Sequence, residues 1–203
     1  MAAEPELPLF PLRAVLFPGG LLNLKVFEAR YLDLISACLR ERRPFGVIML
    51  RFGSEVRHQE VSVDIETTGT LAELIDVDSE QTGILQVRCR GTQRFAIRSS
   101  RQRDDGLWLA LADTLPDDDL VAPTGTLIEA ARGLAHAITT LEARHTRPFL
   151  EPYRFDDAGW VANRWCEILP ITALAKQKLM ELPDPIVRLQ LIDEFLRKKG
   201  VVG

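Results

Sequence analysis

LPLFPLRAVLFPGGLLNLKVFEARY, residues 7–31, is the stretch whose reading decides the fold. Pro8 and Pro11 cannot donate to a ladder, so the run from Leu7 to Leu12 reads as an edge strand or a short, broken one. Pro18-Gly19-Gly20 is a tight turn, because proline presets φ and glycine accepts a positive one. Leu22, Leu24 and Val26 then alternate with Asn23 and Lys25, the period of a half-buried strand. From Arg30 onward the period changes. Tyr31, Leu34, Ile35, Cys38 and Leu39 share one stripe of an amphipathic helix, which Pro44 brings to an end.

Working outward, Phe45 to Phe52 is a strand apolar on both faces and therefore central. Gly53 to Thr68 is weakly patterned and reads as a long loop or a ragged strand near Val61-Ser62-Val63. Further strands are marked by Leu71, Ile75 and Val77, by Leu85, Val87 and Cys89, by Phe95 and Ile97, and by Leu107, Leu109 and Leu111. Their connections at Asp78 to Gly83, Gly91-Thr92 and Asp104-Asp105-Gly106 have hairpin chemistry. The result is an antiparallel meander with one buried face, curled into a sheet or small barrel.

Composition shifts at Pro116-Asp117-Asp118-Asp119, and beyond Pro123 the period is helical. The expected division is residues 1–119, β-rich with one helix, and residues 120–203, a helical bundle, which makes the class α+β. Thr126 with Glu129 reads as a capping box, a second helix of this part starts near Asp157, and Thr172 caps a third. Asp184-Pro185 is a cap followed by proline at the first helical position.

LPLFPL at 7–12, LFPG at 16–19 and FEARY at 27–31 resemble the opening of the stand-alone Lon N-terminal domain proteins. Gly91-Thr92-Gln93-Arg94-Phe95 and the run from Lys176 to Leu182 before Asp184 fit as well. That family is similar to the substrate-binding domain of the Lon protease. The resemblance, which covers nearly the whole chain, implies a PUA-like β-fold and a part that recognises unfolded or partner polypeptides.

Composition sets outer limits. With 203 residues, 46% hydrophobic and 27% charged, the chain suits a globular protein with a sizeable core. No apolar run reaches spanning length, so no membrane span is expected. Met1 to Glu6 is acidic and lacks a signal-peptide layout, which makes the cytoplasm the expected compartment. The three cysteines, Cys38, Cys89 and Cys166, are odd in number and far apart, and read as reduced and buried. The formal net charge of −4 draws the whole molecule to neither nucleic acid nor anionic lipid.

Lon proteases carry an ATPase and a peptidase, and neither engine can be read here. A phosphate-binding loop needs Gly-x-x-x-x-Gly-Lys followed by Ser or Thr, and no lysine in this chain follows a glycine. The family's peptidase uses a serine activated by a lysine, and its protease domain has no counterpart among these residues. No Gly-x-Ser-x-Gly elbow occurs. His58, His136 and His145 have no cysteine at metal-motif spacing, so neither a metal nor a cofactor is expected. Glu28, Arg30 and Tyr31 read as structural: a carboxylate at a helix start, an arginine that pairs or braces a loop, and a ring on the apolar stripe.

One local charge feature stands out. Arg88, Arg90, Arg94 and Arg98 all take the polar phase of their strands, and no acidic residue occurs from Ile84 to Arg103. In a hairpin the four guanidiniums share a face, with Trp108 in the same phase on the next strand. Such a face binds single-stranded nucleic acid, or is solvated and paired within the molecule, or is covered by the helical part and its acidic linker. The first functional reading is therefore a non-catalytic polypeptide-recognition module with a groove between the β-rich and helical parts. Phe17, Phe27, Trp108 and Trp160 are its candidate anchors. The alternative is RNA binding through the arginine face.

Overall fold

Residue 9 is where the first strand changes partner. In β1 (Leu7–Leu12) the segment Leu7–Leu9 pairs antiparallel with Ala110–Trp108 of β6 (Trp108–Thr114). Leu9–Leu12 pairs parallel with Gly46–Met49 of β3 (Phe45–Phe52). β1 is thus an inner strand, not an edge. Each of its sides is open for half its length, which is how it accommodates two prolines. The parallel pair makes the sheet mixed rather than purely antiparallel. Its crossover contains β2 (Leu21–Val26) and α1 (Ala29–Glu41).

The structure is a computed structural model and describes residues 4–52 and 64–202. The chain forms two compact units, Met1–Pro116 and Asp117–Gly203. The division falls three residues before the expected one because Asp118 is held by Arg188 of the helical unit.

The first unit is completed by β4 (Asp64–Gln81) and β5 (Ile84–Gln102). The sheet runs β2-β5-β4-β3-β1-β6, and β6 returns to pair with β5, which closes a ring of five strands with β2 attached outside it. Of the loop expected from Gly53 to Thr68, residues 53–63, with His58, lie outside the described residues, and Asp64 to Thr68 begin β4.

The long strands β4 and β5 keep the pattern of side chains only by breaking their register. Partners sum to one value at Ala72↔Gly91 and to another at Thr70↔Arg94, which puts one extra residue on β5 between Gly91 and Arg94. A second extra residue sits on β4 between Leu74 and Asp76. Each bulge inverts the phase of the residues beyond it. Ile75 therefore turns to solvent at 45% exposure instead of sharing a face with Leu71 and Val77.

Two apolar clusters result. Phe10, Val26, Ile35, Cys38, Val47, Val87 and Cys89 form the larger, covered by α1. Leu9, Ile48, Phe95 and Ala110, one position out of phase in β1 and β3, form the smaller. Phe95 reaches across Gly69, where an added Cβ would lie 2.7 Å from its ring and 2.3 Å from the Val47 carbonyl oxygen.

The second unit is a bundle of α2 (Leu127–Ala143), α3 (Ala158–Ile168), α4 (Ala173–Glu181) and α5 (Pro185–Lys198). Helix α3 is its centre, buried on all sides from Ala158 to Cys166. Asp157 accepts from Gly159 and Trp160 N–H, Thr172 from Ala175, and Asp184 from Ile186 and Val187. The capping box at Thr126 does not form. Thr126 is already helical (φ −66°, ψ −24°) in a turn entered through Gly125 at φ +58°, and Glu129 pairs with Arg132 at 2.9 Å.

Candidate functional site

The Pro18-Gly19-Gly20 turn fixes where β2 leaves the barrel. Gly19 takes φ +74°, and Gly20 N–H donates back to the Phe17 carbonyl at 2.9 Å. The turn is tied to β5 by Gly19 N–H to the Gly91 carbonyl (2.8 Å) and Gly91 N–H to the Gly20 carbonyl (2.9 Å). Glycine is required at 91 because a Cβ there would lie 2.3 Å from the Phe17 carbonyl oxygen. The buried Thr70 hydroxyl donates to the Leu16 carbonyl at 2.6 Å and pins the same segment to β4.

Beyond the turn, FEARY does four jobs in five residues. Phe27 is 54% exposed. Glu28 is the N-cap residue of α1 in extended conformation, and its carboxylate pairs with Arg30 at 2.9 Å rather than capping by its side chain. Arg30 also donates to the Gly106 carbonyl (2.8 Å), bracing the β5–β6 connection, and lies 4.5 Å from the Tyr31 ring. Tyr31 stacks on Phe10 with centroids 4.1 Å apart. Such stacked pairs contribute about 0.5–1.5 kcal/mol beyond area burial.

These residues enclose an apolar groove of about 320 Å³. Phe10 and Leu12 of β1, Leu24 and Val26 of β2, and Tyr31 form its walls, with Phe27 and Lys25 among its lining. It runs beside the outer side of β2, a strand whose only ladder is with β5 among the described residues.

The other candidate anchors are placed differently. Phe17 is 0% exposed, held under the turn as core. Trp160 is 8% exposed within an aromatic cluster of Phe149, Tyr153 and Phe155, inside the helical unit. Neither presents its ring to a partner. Trp108 is half-buried against the smaller cluster of the barrel.

The shared arginine face does not form. The bulge after Gly91 puts Arg94 out of phase with Arg88 and Arg90, and Arg94 is buried, donating to the Pro116 carbonyl at 3.2 Å. Arg90 pairs with Glu73 at 3.1 Å. Arg98 pairs with Glu4 and with Asp113 (3.1 Å). Arg101 pairs with Glu6 at 2.6 Å and Arg103 with Asp105 at 2.9 Å. Arg88 is exposed, opposite Asp76 and Asn23 in the ladders. The row of arginines is thus largely matched by carboxylates from elsewhere in the same unit.

Other chemistry is muted. A wider cavity of about 600 Å³ is lined by Arg30, Arg40, Arg43 and Arg103, but also by Glu6, Asp33 and Asp105. Burial pushes the Cys38 thiol up to about 11 and the Cys89 and Cys166 thiols up to about 12, which makes them poor nucleophiles. Among the described residues, no three His, Cys, Asp or Glu side chains group as a metal site.

Sequence reading took β1, from its prolines, as an edge strand or a short, broken one, and missed that the side of β2 away from β5 carries no ladder among the described residues. The signal was Lys25, a lysine within the strand, the kind of residue that guards an exposed edge against unwanted pairing.

The chain matches the family described as ATP-dependent protease La (LON) substrate-binding domain over residues 6–198. It is similar to the Lon protease of Parabacteroides distasonis (26% identical, over 88% of this chain and 22% of that protein). It is also similar to the protein cereblon of Gallus gallus (26%, over 76% of this chain and 32% of that protein). The chain spans about a quarter of the length of the curated Lon proteases it matches. Among solved structures, a Lon N-terminal domain protein from Xanthomonas campestris superposes with a TM-score of 0.67 at 33% identity, covering 93% of this chain and 97% of that one. The N-terminal domain of a Mycobacterium avium complex Lon protease gives the same TM-score at 15% identity, a likeness of fold, over 94% and 97% of the two chains.

Proposed function

Because the chain belongs to the family of the Lon substrate-binding domain, we propose that it is a non-catalytic module that recognises polypeptide segments. Its ligands are unfolded or partner polypeptides with exposed apolar side chains, and its site is the groove beside β2. The observation that carries this reading is Phe27: an aromatic 54% exposed at a mostly apolar groove is the kind of anchor that recognition sites use. The three unpaired, buried cysteines suit a reducing compartment, and we place the protein in the cytoplasm.

The test is fluorescence anisotropy without nucleotide, comparing a labelled, reduced and carboxymethylated polypeptide with a labelled single-stranded RNA at two salt concentrations. Saturable polypeptide binding with little salt dependence is expected. Phe27→Ser should weaken it by about tenfold, the loss of one anchor, without lowering thermal stability. RNA binding that collapses at the higher salt, with no polypeptide binding, would overturn the reading in favour of the arginines.

A further inference from the structure

β2 offers a backbone as well as a groove. Gly91 N–H donates to the Gly20 carbonyl, and the ladder continues from Leu21↔Arg90 to Val26↔Leu85. Antiparallel alternation then turns the N–H and C=O groups of Leu22, Leu24 and Val26 toward β5, and those of Leu21, Asn23 and Lys25 away from it. Three consecutive outward residues, spaced by two, face the side of β2 that carries no ladder among the described residues. That side borders the apolar groove.

Charge narrows the occupant. Among the described residues the groove's one lining carboxylate, Glu28, is paired with Arg30, while its lining cation, Lys25, is exposed near the C-terminal end of the open edge. A ligand that satisfies all three features is an extended strand. Its backbone pairs with residues 21, 23 and 25, alternate apolar side chains enter the groove, and a carboxylate in the other phase meets Lys25.

We infer that β2 is the docking edge for an extended polypeptide segment of alternating apolar residues with an acidic residue in its polar phase, bound by strand addition. This rests on the polypeptide reading above and specifies its geometry.

The probe is a fluorescein-labelled nonapeptide, Thr-Val-Thr-Val-Asp-Val-Thr-Val-Thr, with the carboxymethylated polypeptide run in parallel. Amide hydrogen exchange is followed by NMR. In the free protein, the amides of Leu22, Leu24 and Val26 should already be slow and those of Leu21, Asn23 and Lys25 fast. Saturation with the peptide should slow the second set. Asn23→Pro removes an outward N–H at a position where no β5 bond is lost and should weaken the peptide by about tenfold, the worth of one lost pairing, whereas Asn23→Ala, which keeps that N–H, should not. Lys25→Glu should weaken it as well, and a peptide with Lys in place of its Asp should restore binding to that variant.

Peptide binding with unchanged exchange at Leu21, Asn23 and Lys25 would overturn strand addition while leaving polypeptide recognition intact. Binding of the unfolded polypeptide but not of the peptide would do the same. Binding of neither would remove both readings. Slow exchange at Leu21, Asn23 and Lys25 in the free protein, lost on dilution, would give the edge to a second copy of the chain and overturn the proposal.

Discussion

The surface arginines of the barrel and the two fully buried arginines of the helical unit work in opposite ways. In the barrel, Arg90, Arg98, Arg101 and Arg103 stay at the surface and meet carboxylates in water. In the helical unit, Arg164 and Arg188 are 0% and 1% exposed. Arg188 donates to Asp118 (2.5 and 3.2 Å), to Asn163 (3.1 Å), and to the carbonyls of Leu179 (2.9 Å) and Leu182. It thereby satisfies C-terminal carbonyls of α4 and ties the acidic linker to α3 and α5. Arg164 makes a double contact with Glu167 (2.6 and 2.8 Å) and lies over the Phe149 and Trp160 rings. The lesson is that a count of arginines says little about nucleic acid: one set is neutralised outside, the other is structural inside.

The contrast can be broken most directly at Arg188. Arg188→Ala removes the bonds of this buried guanidinium to Asp118, Asn163 and the carbonyls of Leu179 and Leu182 and should cost about 3–5 kcal/mol, read as a lower midpoint in urea unfolding. Next in size is Gly91→Val, which drives a branched side chain into the Phe17 carbonyl. It should cost about 1–3 kcal/mol and distort the start of β2, so thermal stability and polypeptide affinity should fall together.

A third test uses pH. Burial raises Glu167 from its ordinary value of 4.5 to about 7, against the lowering influence of Arg164 and Lys176. The folded state therefore holds this proton more tightly than the unfolded one. The stability it contributes is full below the unfolded value and is lost as pH rises through about 7. Urea midpoints measured from about pH 4 to about pH 8 should carry this fall, and Glu167→Gln should flatten it. The smallest effect belongs to the barrel's surface. Arg98→Ala and Arg101→Ala should leave the melting temperature unchanged within error, since exposed pairs contribute little. A large loss there would show the outer arginines to be as structural as the inner ones.

Much of this fold was legible. The α+β class, the amphipathic stripe of α1 apart from Leu39, which is 50% exposed, and the caps at Asp157, Thr172 and Asp184 all follow from local chemistry, which needs only a few neighbouring residues. The illegible part depends on pairing. Pro8 and Pro11 gave the right local constraint but left an edge strand and a short, broken one as equal readings, because a strand can be open on each side for half its length. The arginine face failed because alternation assumes unbroken register, and no single residue between Gly91 and Arg94 announces an extra position. Phe27 was identifiable as an aromatic worth watching. Phe17 and Trp160, equally aromatic, became core because a turn folded over one and a bundle closed around the other.

The extra residue after Gly91 also bears on how this chain tolerates insertions and deletions. Losing Thr92 would remove the extra position and leave Thr70↔Arg94 and Gly69↔Phe95 as the continuation of an unbroken ladder, so Phe95 would keep its place over Gly69. A substitution at Thr92 removes one hydroxyl bond to the Leu71 carbonyl. A deletion at the same site removes the local bend and added twist of the bulge while leaving the pairs beyond it, Thr70↔Arg94 to Thr68↔Ala96, as they are. What the extra residue supplies is the bend of β5, while the pairing with β4 sets which side chains face inward.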